Sequence, residues 1–331
     1  MNNRSIIAKA AADTTSLGTG GKMNAEQSKQ FITFMRDYSS FLKKVDFITM
    51  AKTTRDLDSL EVNKRALRRQ AENSDNPATG AVTHKRRTLK AVGVIMPYDV
   101  SFQYMKENIE GKGVNTTLAR MFAQQFANDT VELAFLGDES ESDDDFISIN
   151  DGWIKIAKND ANVHKFDTED SVDYLNTVFP GLLAAMPNKY YSLYTEEDKS
   201  KIKIFCSPTV NRKYKQQLQA RNTALGDALI TGGKNVSYDG FEIVPVAFIP
   251  DNIQIVTPYE NFVYGIYGQS LEVYHNVVPR KTRHEYTLLA DFDMEINNPD
   301  ALVIGDNFTN SSEPGSGESE KTEVKRGIKN G

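Results

Sequence analysis

One amphipathic pattern dominates this sequence: NTTLARMFAQQFANDTVELAFLG, residues 115–137. Apolar side chains recur there every three or four residues, the spacing of a single helix face. The members of that face are Ala119, Phe122, Ala123, Phe126, Ala127, Thr130, Leu133 and Ala134. A start near Asn115 or Thr116 and a stop at Gly137 predict a rod of roughly 30 Å. Because large and small side chains alternate on this face, a flat surface can lie close against it.

On the N-terminal side of this rod the character of the chain changes twice. Asn24 is a helix N-cap candidate, and apolar residues at helical spacing predict a helix over 24–44, followed by a short strand over 45–50. The next stretch, 52–90, is polar and centred on a turn-rich patch at 73–80. Such a stretch cannot form a core of its own, and a strand resumes at 91–96.

On the C-terminal side, helical and extended patterns alternate. The predicted elements are a helix over 169–186 interrupted by Pro180, a strand over 202–206 ended by Ser207-Pro208, a basic helix over 209–221, a hairpin over 238–246, and strands over 253–256, 261–266, 271–278 and 283–297. After Phe308 the composition turns to Ser, Gly, Glu and Lys, which does not fold alone.

Composition excludes several classes of protein. The chain has 331 residues, of which 39% are hydrophobic, so it can bury a sizeable core. A single cysteine, Cys206, excludes a disulfide framework and a cysteine-rich zinc site. No apolar run reaches the roughly 18 residues that a membrane span requires. The net charge of −6 argues against a dedicated nucleic-acid binder.

The motifs of common catalytic and cofactor sites are missing from the sequence. Gly20-Gly21-Lys22 and Gly232-Gly233-Lys234 lack the Ser or Thr and the spacing of a nucleotide-binding loop. Cys206 ends an apolar strand, where a buried structural role is expected rather than pairing with a histidine as a nucleophile. The four histidines lack metal-ligand spacing. No catalytic residue, cofactor or metal is therefore predicted.

Five segments within roughly 25–308, in this order, resemble HK97-like capsid subunits, particularly those of P2-like phages. The polar stretch 52–90 resembles the extended loop of that fold, 115–137 its spine helix, Trp153 with 169–186 the entry to its axial domain, 202–208 its strand followed by Ser-Pro, and 240–266, with Asn261-Phe262-Val263-Tyr264-Gly265-Ile266, its closing hairpin and turn. Their common order and spacing carry the resemblance.

The resemblance implies an α+β fold with a peripheral domain, made of the spine helix and a long-stranded sheet, and an axial domain. An N-terminal arm and an extended loop project from them. The implied boundaries are 1–45 for the arm and first helix, 46–96 for the extended loop with its flanking strands, 97–150 for the peripheral domain with the spine helix, 151–270 for the axial domain, 271–308 for the return strands of the peripheral domain and 309–331 for a flexible tail.

The implied function is that of a major capsid protein, a structural protein that assembles in the host cytoplasm into an icosahedral head around a genome. The implied partners are further copies in hexamers and pentamers, a portal, and packaged nucleic acid contacted without specificity; no membrane is implied. About 23 residues precede the first helix, too few for a fused scaffolding domain, so a separate scaffolding protein is expected.

Charge is strongly segregated along the chain. Residues 52–90 hold ten Lys or Arg against five Asp or Glu, whereas 129–151 hold nine acidic residues and no Lys or Arg. The basic block is interpreted as a solvated loop, as a docking element for an acidic sister subunit, or as a nucleic-acid arm, although it lacks aromatics that would stack on bases. The acidic block is interpreted as a solvated loop, a cation site or a docking surface for a basic partner.

Because the resembled fold lays its extended loop over the spine-helix region of an adjacent subunit, the two blocks are expected to meet between chains. The residues expected at that interface are Lys64, Arg65, Arg68, Arg69, Arg86 and Arg87 on the loop and Asp143, Asp144 and Asp145 opposite. Reversing the charge of the loop arginines is then expected to block assembly and leave the subunit folded.

Two alternatives stay open at this point. An encapsulin-like compartment would share the fold but enclose cargo proteins, and a cargo-peptide groove near the N-terminal helix would favour it. A soluble hydrolase or binding protein with a long lid would belong to another class, and a monomer with a well-formed pocket would favour that.

Overall fold

The computed structural model describes residues 25–62, 82–107, 114–169, 171–196, 199–221 and 236–307. Its helices are α1 (Ala25–Tyr38), α2 (Phe102–Glu107), α3 (Val114–Leu136), α4 (Trp153–Asn159), α5 (Phe179–Ala185), α6 (Asn188–Leu193) and α7 (Pro208–Gln219). Its strands are β1 (Asp46–Met50), β2 (Thr54–Val62), β3 (Val82–Lys90), β4 (Val92–Ser101), β5 (His164–Asp167), β6 (Thr195–Glu196), β7 (Lys199–Ser200), β8 (Ile202–Cys206), β9 (Ser237–Tyr238), β10 (Phe241–Pro245), β11 (Gln254–Pro258), β12 (Phe262–Tyr267), β13 (Glu272–Val278), β14 (Arg283–Ile296) and β15 (Val303–Asp306).

The first sheet is organised around the long strand β14. One edge of β14 pairs with β12 and then with β13, and the other edge pairs with β4, all antiparallel. Strand β1 extends the sheet by pairing with β12 in parallel. Because side chains alternate along a strand, the even-numbered residues from Leu288 to Ile296 enter the core, and the odd-numbered residues point to the opposite face. We call that second face the outer face.

Helices α1 and α3 cover the core face of this sheet. The ring of Phe126 in α3 lies 6.1 Å from that of Phe31 in α1 and 6.1 Å from that of Phe292 in β14. Small residues such as Ala127 are fully buried beside Phe126, so the helix lies close against the strands. The predicted rod is thus confirmed, with bounds within one residue of those expected.

Trp153, the first residue of α4, is at the centre of the aromatic core. Its ring is fully buried, 4.7 Å from that of Phe262 and 5.2 Å from that of Phe135. The indole N–H donates to the backbone carbonyls of Glu295 at 3.1 Å and Val263 at 3.3 Å. A buried indole needs such an acceptor, and here it ties α4 to two strands of the first sheet.

The second sheet has six strands in the order β5-β15-β11-β8-β10-β9. Its central strands β11 and β15 are buried along their whole length, as expected of strands covered on both faces. Helices α5 to α7 pack on it through a second cluster that includes Phe179, Leu182 and Tyr214. Ser207 accepts a hydrogen bond from the Val210 N–H and caps α7 behind Pro208, which confirms the predicted strand-Ser-Pro-helix unit.

Several predicted bounds differ from the observed ones for local reasons. The first helix ends at Tyr38 rather than at 44, because the Ser39 hydroxyl accepts from the Leu42 N–H and starts a turn that still buries Phe41 and Leu42. The pattern at 169–186 begins only at Tyr174, as a π-helical turn that continues into α5. Pro180 lies in the first turn of α5 and does not interrupt it.

The chain passes between the two sheets several times. Strand β12 belongs to the first sheet, and β15, which follows β14, belongs to the second. The predicted boundary between 151–270 and 271–308 stays a prediction. No helix among the described residues is long and apolar enough to span a membrane. The predicted arm, the tail and the tip of the extended loop lie outside the described residues.

We expect Trp153→Phe to lower the free energy of unfolding by about 1–3 kcal/mol, because two backbone carbonyls lose their donor and the core loses volume. Urea denaturation followed by far-ultraviolet circular dichroism measures the change. Tyr104→Phe is the control, because that side chain is exposed, and its effect should stay within about 0.5 kcal/mol. Equal stability of both variants would contradict the role of the indole.

Candidate assembly surface

The polar stretch 52–90 contains a regular β-hairpin. Strands β2 and β3 pair in antiparallel fashion from Thr54 opposite Lys90 to Val62 opposite Val82, and the Ala91 N–H closes the base on the Thr53 carbonyl at 2.8 Å. Burial alternates along β3, so one face of the hairpin is turned to the body of the subunit and the other to solvent. The base of this stretch, as far as the described residues go, is ordered by the subunit itself.

Leu89 anchors the base of the hairpin on the outer face of the first sheet. Its side chain is fully buried in a small cluster with Met50 and Val263. A Cβ added to Gly265 would come within 2.8 Å of the Leu89 side chain, so the glycine creates the space that the leucine fills. The side chains of Leu89 and Met50 occupy the space that a side chain at position 265 would need.

Arg87 makes the main ionic contact of the hairpin. Its guanidinium pairs with Asp160, at the end of α4, and its Nη1 lies 2.5 Å from Oε1 of Glu295 in β14. All three side chains are at least four-fifths buried, with exposed fractions of 20%, 11% and 17% in that order. A planar guanidinium can bridge two carboxylates in a way that a lysine cannot.

Two further contacts extend this attachment along the body. Lys85 pairs with Asp300, and the backbone N–H of Lys90 donates to Oδ2 of Asp293 at 2.5 Å. Burial raises the pKa of Asp293, whereas the N–H of Lys90 and the side-chain amide of Asn150 lower it by stabilising the carboxylate. Four carboxylates of the same chain therefore hold the basic strand β3.

The solvent face of the hairpin has its own charge pairs. Arg86 lies 3.2 Å from Asp58 and 3.5 Å from Asp56, and both of its partners are on β2. His84 also approaches Asp58, at 3.2 Å. These groups are about half exposed, and pairs of this kind contribute about 0–1 kcal/mol.

The structure gives Arg87 partners inside its own chain that the sequence did not indicate. We expected this residue to be available for a neighbouring subunit, but its guanidinium is already bound to Asp160 and Glu295 within the chain. Sequence spacing could not reveal this, since Glu295 lies 208 residues away. Charge reversal of Arg87 would crowd three carboxylates together and destabilise the subunit, contrary to the expectation that the fold is unaffected. Arg86 also has partners inside the chain, and its role between subunits stays a prediction.

The remaining loop residues of that prediction, Lys64, Arg65, Arg68 and Arg69, lie outside the described residues. On the acidic side, Asp143, Asp144 and Asp145 are exposed in the loop that follows α3. Asp144 accepts from the Phe146 N–H at 2.8 Å and thereby shapes the loop. The ion pairs described above hold β3 to Asp160, Glu295 and Asp300 rather than to this loop, so a meeting of the two blocks stays a prediction for separate chains.

The acidic block is already neutralised in part. Lys155 lies 2.7 Å from Asp138, and its hydrogen bond, together with that of the Ser140 hydroxyl, holds the pKa of Asp138 below its usual value. Among the described residues, no group of three or more His, Cys, Asp or Glu is arranged to hold a metal ion. Docking of a basic partner therefore needs the outer part of the loop, around Asp143 to Asp145.

Cysteine and histidine were the two residue types considered for catalysis. Cys206 is fully buried, and burial raises the pKa of its thiol to about 12, so the thiol is protonated at neutral pH. The β13–β14 register brings His275 and His284 together, with a ring-nitrogen distance of 2.8 Å. Sequence spacing alone did not indicate this histidine pair, because nine residues separate its members.

A groove lies beside the end of α1. Its volume is about 280 Å³, and it is bounded by α1, α3 and residues 244–248. Tyr38, Phe248 and Tyr259 contribute aromatic walls, and Lys44 lies with its ammonium 5.0 Å from the centre of the Tyr259 ring. The groove combines these aromatic side chains with one cation and with the polar side chains of Ser39, Ser40 and Asn128.

Comparison with known structures defines the class of the fold. The chain superimposes on the subunit of the satellite phage P4 procapsid with a TM-score of 0.67 and 11% sequence identity, covering 93% of this chain and 98% of that one. It matches the capsid of an empty GTA particle with a TM-score of 0.57 and 12% identity, over 81% of this chain and 89% of that one. The virus-like particle of Pyrococcus furiosus matches with a TM-score of 0.50 and 12% identity, over 83% and 96%.

The fold is therefore the α+β fold of HK97-like capsid subunits, as the sequence resemblance implied. No protein-family model matches the chain. Among curated proteins, it is 27% identical over 245 residues to YqbE of Bacillus subtilis (strain 168), a protein named for a prophage capsid role. That alignment covers 72% of this chain and 74% of YqbE, so it extends through most of both proteins.

We expect Arg87→Ala to lower the free energy of unfolding by about 1.5–3 kcal/mol, because Asp160 and Glu295 would be left largely buried without their cation. Arg87→Lys should recover part of the loss. Arg86→Ala is the matched control on the exposed face, with an expected loss of about 0–1 kcal/mol. Urea denaturation of the unassembled subunit measures all three, and equal losses for Arg86→Ala and Arg87→Ala would refute the anchoring role of Arg87.

We also expect the free energy of unfolding of the subunit to fall at acidic pH, because of the histidine pair. Burial and the neighbouring His275 lower the pKa of His284, so below a pH of about 6.5 the unfolded chain takes up this proton more readily than the folded one. The stability contribution present at neutral pH is therefore lost as the pH falls below that value. His284→Phe should flatten the change in unfolding midpoint between pH 7.5 and 5.5, and an unchanged slope would contradict it.

Proposed function

We propose that this chain is a major capsid protein that self-assembles into an icosahedral phage head around a genome. One observation carries the proposal: nearly the whole chain corresponds to a procapsid subunit, and most of it aligns in sequence with a protein named for a prophage capsid role. Two sheets and a paired hairpin among the described residues support it. The role is structural rather than enzymatic.

Assembly follows from how the hairpin is built. Its base is held by Leu89 and Arg87. A basic, weakly apolar strand of this kind gains most by lying on another surface. Because every subunit has both the hairpin and the surfaces of the body, repeated contacts of this kind generate closed rings such as hexamers and pentamers.

The other predicted partners of the chain follow from the same proposal. We infer that the shell contains a portal and is built with a separate scaffolding protein, in the host cytoplasm. Nucleic acid inside the shell is contacted without specificity, which suits the net charge of −6. The predicted interface of Arg68, Arg69 and their neighbours with Asp143, Asp144 and Asp145 remains part of the proposal.

An encapsulin-like compartment is the second candidate, supported by the groove beside the end of α1. Its aromatic walls and Lys44 suit a short peptide that carries an aromatic or aliphatic side chain and a carboxylate. In that case the enclosed material would be protein rather than nucleic acid. The contents of purified particles distinguish the two candidates. A phage head protects its nucleic acid from added nuclease, whereas a protein compartment need not contain nucleic acid.

We expect the purified chain, alone or with its scaffolding protein, to form uniform closed particles in negative-stain micrographs. Particle yield should fall as salt shortens the electrostatic screening length from about 10 Å at 0.1 M to about 3 Å at 1 M. The reason is that contacts between charged side chains align the subunits, and salt weakens these contacts. Light scattering quantifies the yield. A monomer of 37.1 kDa at every concentration, salt and scaffold addition would contradict self-assembly.

A further inference from the structure

A small cavity lies between the second half of α3, strand β4 and the turn at 146–149. Its volume is about 110 Å³, which corresponds to the liquid volume of about four water molecules. Strand β4 pairs only with β14 among the described residues, so this space lies at an edge of the first sheet and is partly open to solvent. We call it the α3–β4 cavity.

The walls of the α3–β4 cavity are mainly apolar. Met96, Phe126, Leu133 and Phe146 contribute to them, and all four side chains belong to the aromatic core or pack against it. A water molecule in such a space needs two to four polar partners, which apolar walls do not supply. Water is therefore held weakly there, and an apolar group that displaces it gains binding free energy.

Asp129 places a negative charge on the wall of this cavity without a cation beside it. Its Oδ1 accepts a hydrogen bond from Nε2 of Gln125, one turn earlier in α3, at 2.6 Å. Burial raises the pKa of Asp129, and the Gln125 amide only partly opposes that effect. Among the described residues, no Lys, Arg or His forms an ion pair with this carboxylate. A cation brought into the cavity would compensate the lost hydration of Asp129.

Thr130 adds a buried hydroxyl to the same wall. It is 2% exposed, and the hydroxyl of the fully buried Tyr264 lies near it. Neither hydroxyl has a partner at hydrogen-bonding geometry among the described residues. A buried polar group without a partner is unfavourable, and Thr130 lines the cavity, where a ligand N–H can donate to its oxygen.

These features together define one class of ligand. An ammonium group carries three N–H donors and a positive charge, so it matches both the carboxylate of Asp129 and the hydroxyl of Thr130. An aryl or branched alkyl group matches the apolar walls, and a benzene ring is known to occupy an apolar protein cavity of about 150 Å³. An anion would be repelled by Asp129, and a neutral alcohol would leave its charge without a counter-ion.

We propose that the α3–β4 cavity binds a small primary amine with an aryl or branched alkyl group. The ammonium lies against Asp129 and Thr130, and the apolar group lies between α3 and the turn at 146–149. This binding site is separate from the hairpin and from the charged blocks considered for assembly, and it goes beyond the proposed function.

Binding of benzylamine to the full chain at neutral pH tests the proposal. For a ligand of eight non-hydrogen atoms we expect a Kd of about 0.1–1 mM by isothermal titration calorimetry. Benzyl alcohol has nearly the same shape without the charge and should bind at least about tenfold more weakly. Lysine with its α-amino and carboxyl groups blocked offers the same ammonium on a linear chain. Tighter binding of blocked lysine than of benzylamine would overturn the assignment to a free amine.

Two substitutions locate the charge and the hydroxyl. Asp129→Asn should weaken benzylamine at least about tenfold and leave benzyl alcohol unchanged, because only the amine uses the negative charge. Asp143→Asn, at an exposed carboxylate outside the cavity, is the matched control and should leave both affinities unchanged. Thr130→Val should weaken benzylamine about threefold or more through the lost hydrogen bond. Equal affinity of the Asp129→Asn variant and the wild type for benzylamine would contradict the role of Asp129.

A third substitution tests the position of the ligand. Ile149→Phe enlarges a side chain that lines the cavity and should abolish binding of both benzylamine and benzyl alcohol. Leu193→Phe, at a site 67% exposed elsewhere on the body, should have no effect. Urea midpoints show whether each variant is folded. Should Ile149→Phe lower the midpoint, changes in nuclear magnetic resonance shifts of α3 and β4 on adding benzylamine to the wild type locate the ligand instead.

Failure of this inference is distinguishable from failure of the proposed function. No binding of benzylamine at about 10 mM, or binding that shifts residues outside α3, β4 and the turn at 146–149, would overturn the inference whether or not particles form. A chain that binds benzylamine in the expected way but never forms closed particles would support the inference and contradict the capsid proposal.

Discussion

The fourteen-residue strand β14 is the constraint on which the rest of the subunit depends. Its two edges bind β4, β12 and β13, and its even-numbered side chains form the floor of the core beneath α3. Because side chains alternate, the odd-numbered positions of the same strand must face the other way. A one-residue shift of register would exchange the two sets, so the core and the outer face are specified together.

The odd-numbered positions of β14 include acidic residues, and two of these bind the hairpin. Glu295 and Asp293 hold its base through Arg87 and the backbone N–H of Lys90. The cost of placing these carboxylates near the protein interior is offset where Arg87 or a backbone N–H approaches them. The hairpin therefore leaves the body in a defined direction, which a loop attached only at its two ends would not have.

Two cores and two sheets form the body that carries this arrangement. Trp153 joins α4 to β12 and β14 through its indole N–H, and Asp160 at the other end of the short helix binds Arg87. The aromatic core and the ionic attachment of the hairpin are thus linked through seven residues of α4. Displacing this helix would affect both, which connects packing in the interior to the direction in which the hairpin leaves the body.

Local patterns were sufficient for much of this structure. The periodicity of 115–137 predicted α3, the Ser207-Pro208 pair predicted the start of α7, and alternating residues predicted the strands β8, β12 and β14. The order of these segments indicated the fold, and the composition of 52–90 indicated a projecting element without a core. All of these signals arise from neighbours within about one or two turns of the chain, which a sequence displays directly.

Only the tertiary structure decided which charges meet. Sequence alone determined that β3 is basic, but a lysine or arginine gives no indication of which carboxylate it will bind. Arg87 meets Glu295 across 208 residues and Lys85 meets Asp300 across 215, because β14 returns to the place where the hairpin begins. His275 and His284 likewise became a pair through the register of two strands. The spacing of apolar residues in the sequence indicates which face of a helix or strand a residue occupies. The residue that it contacts depends on how distant strands are brought together.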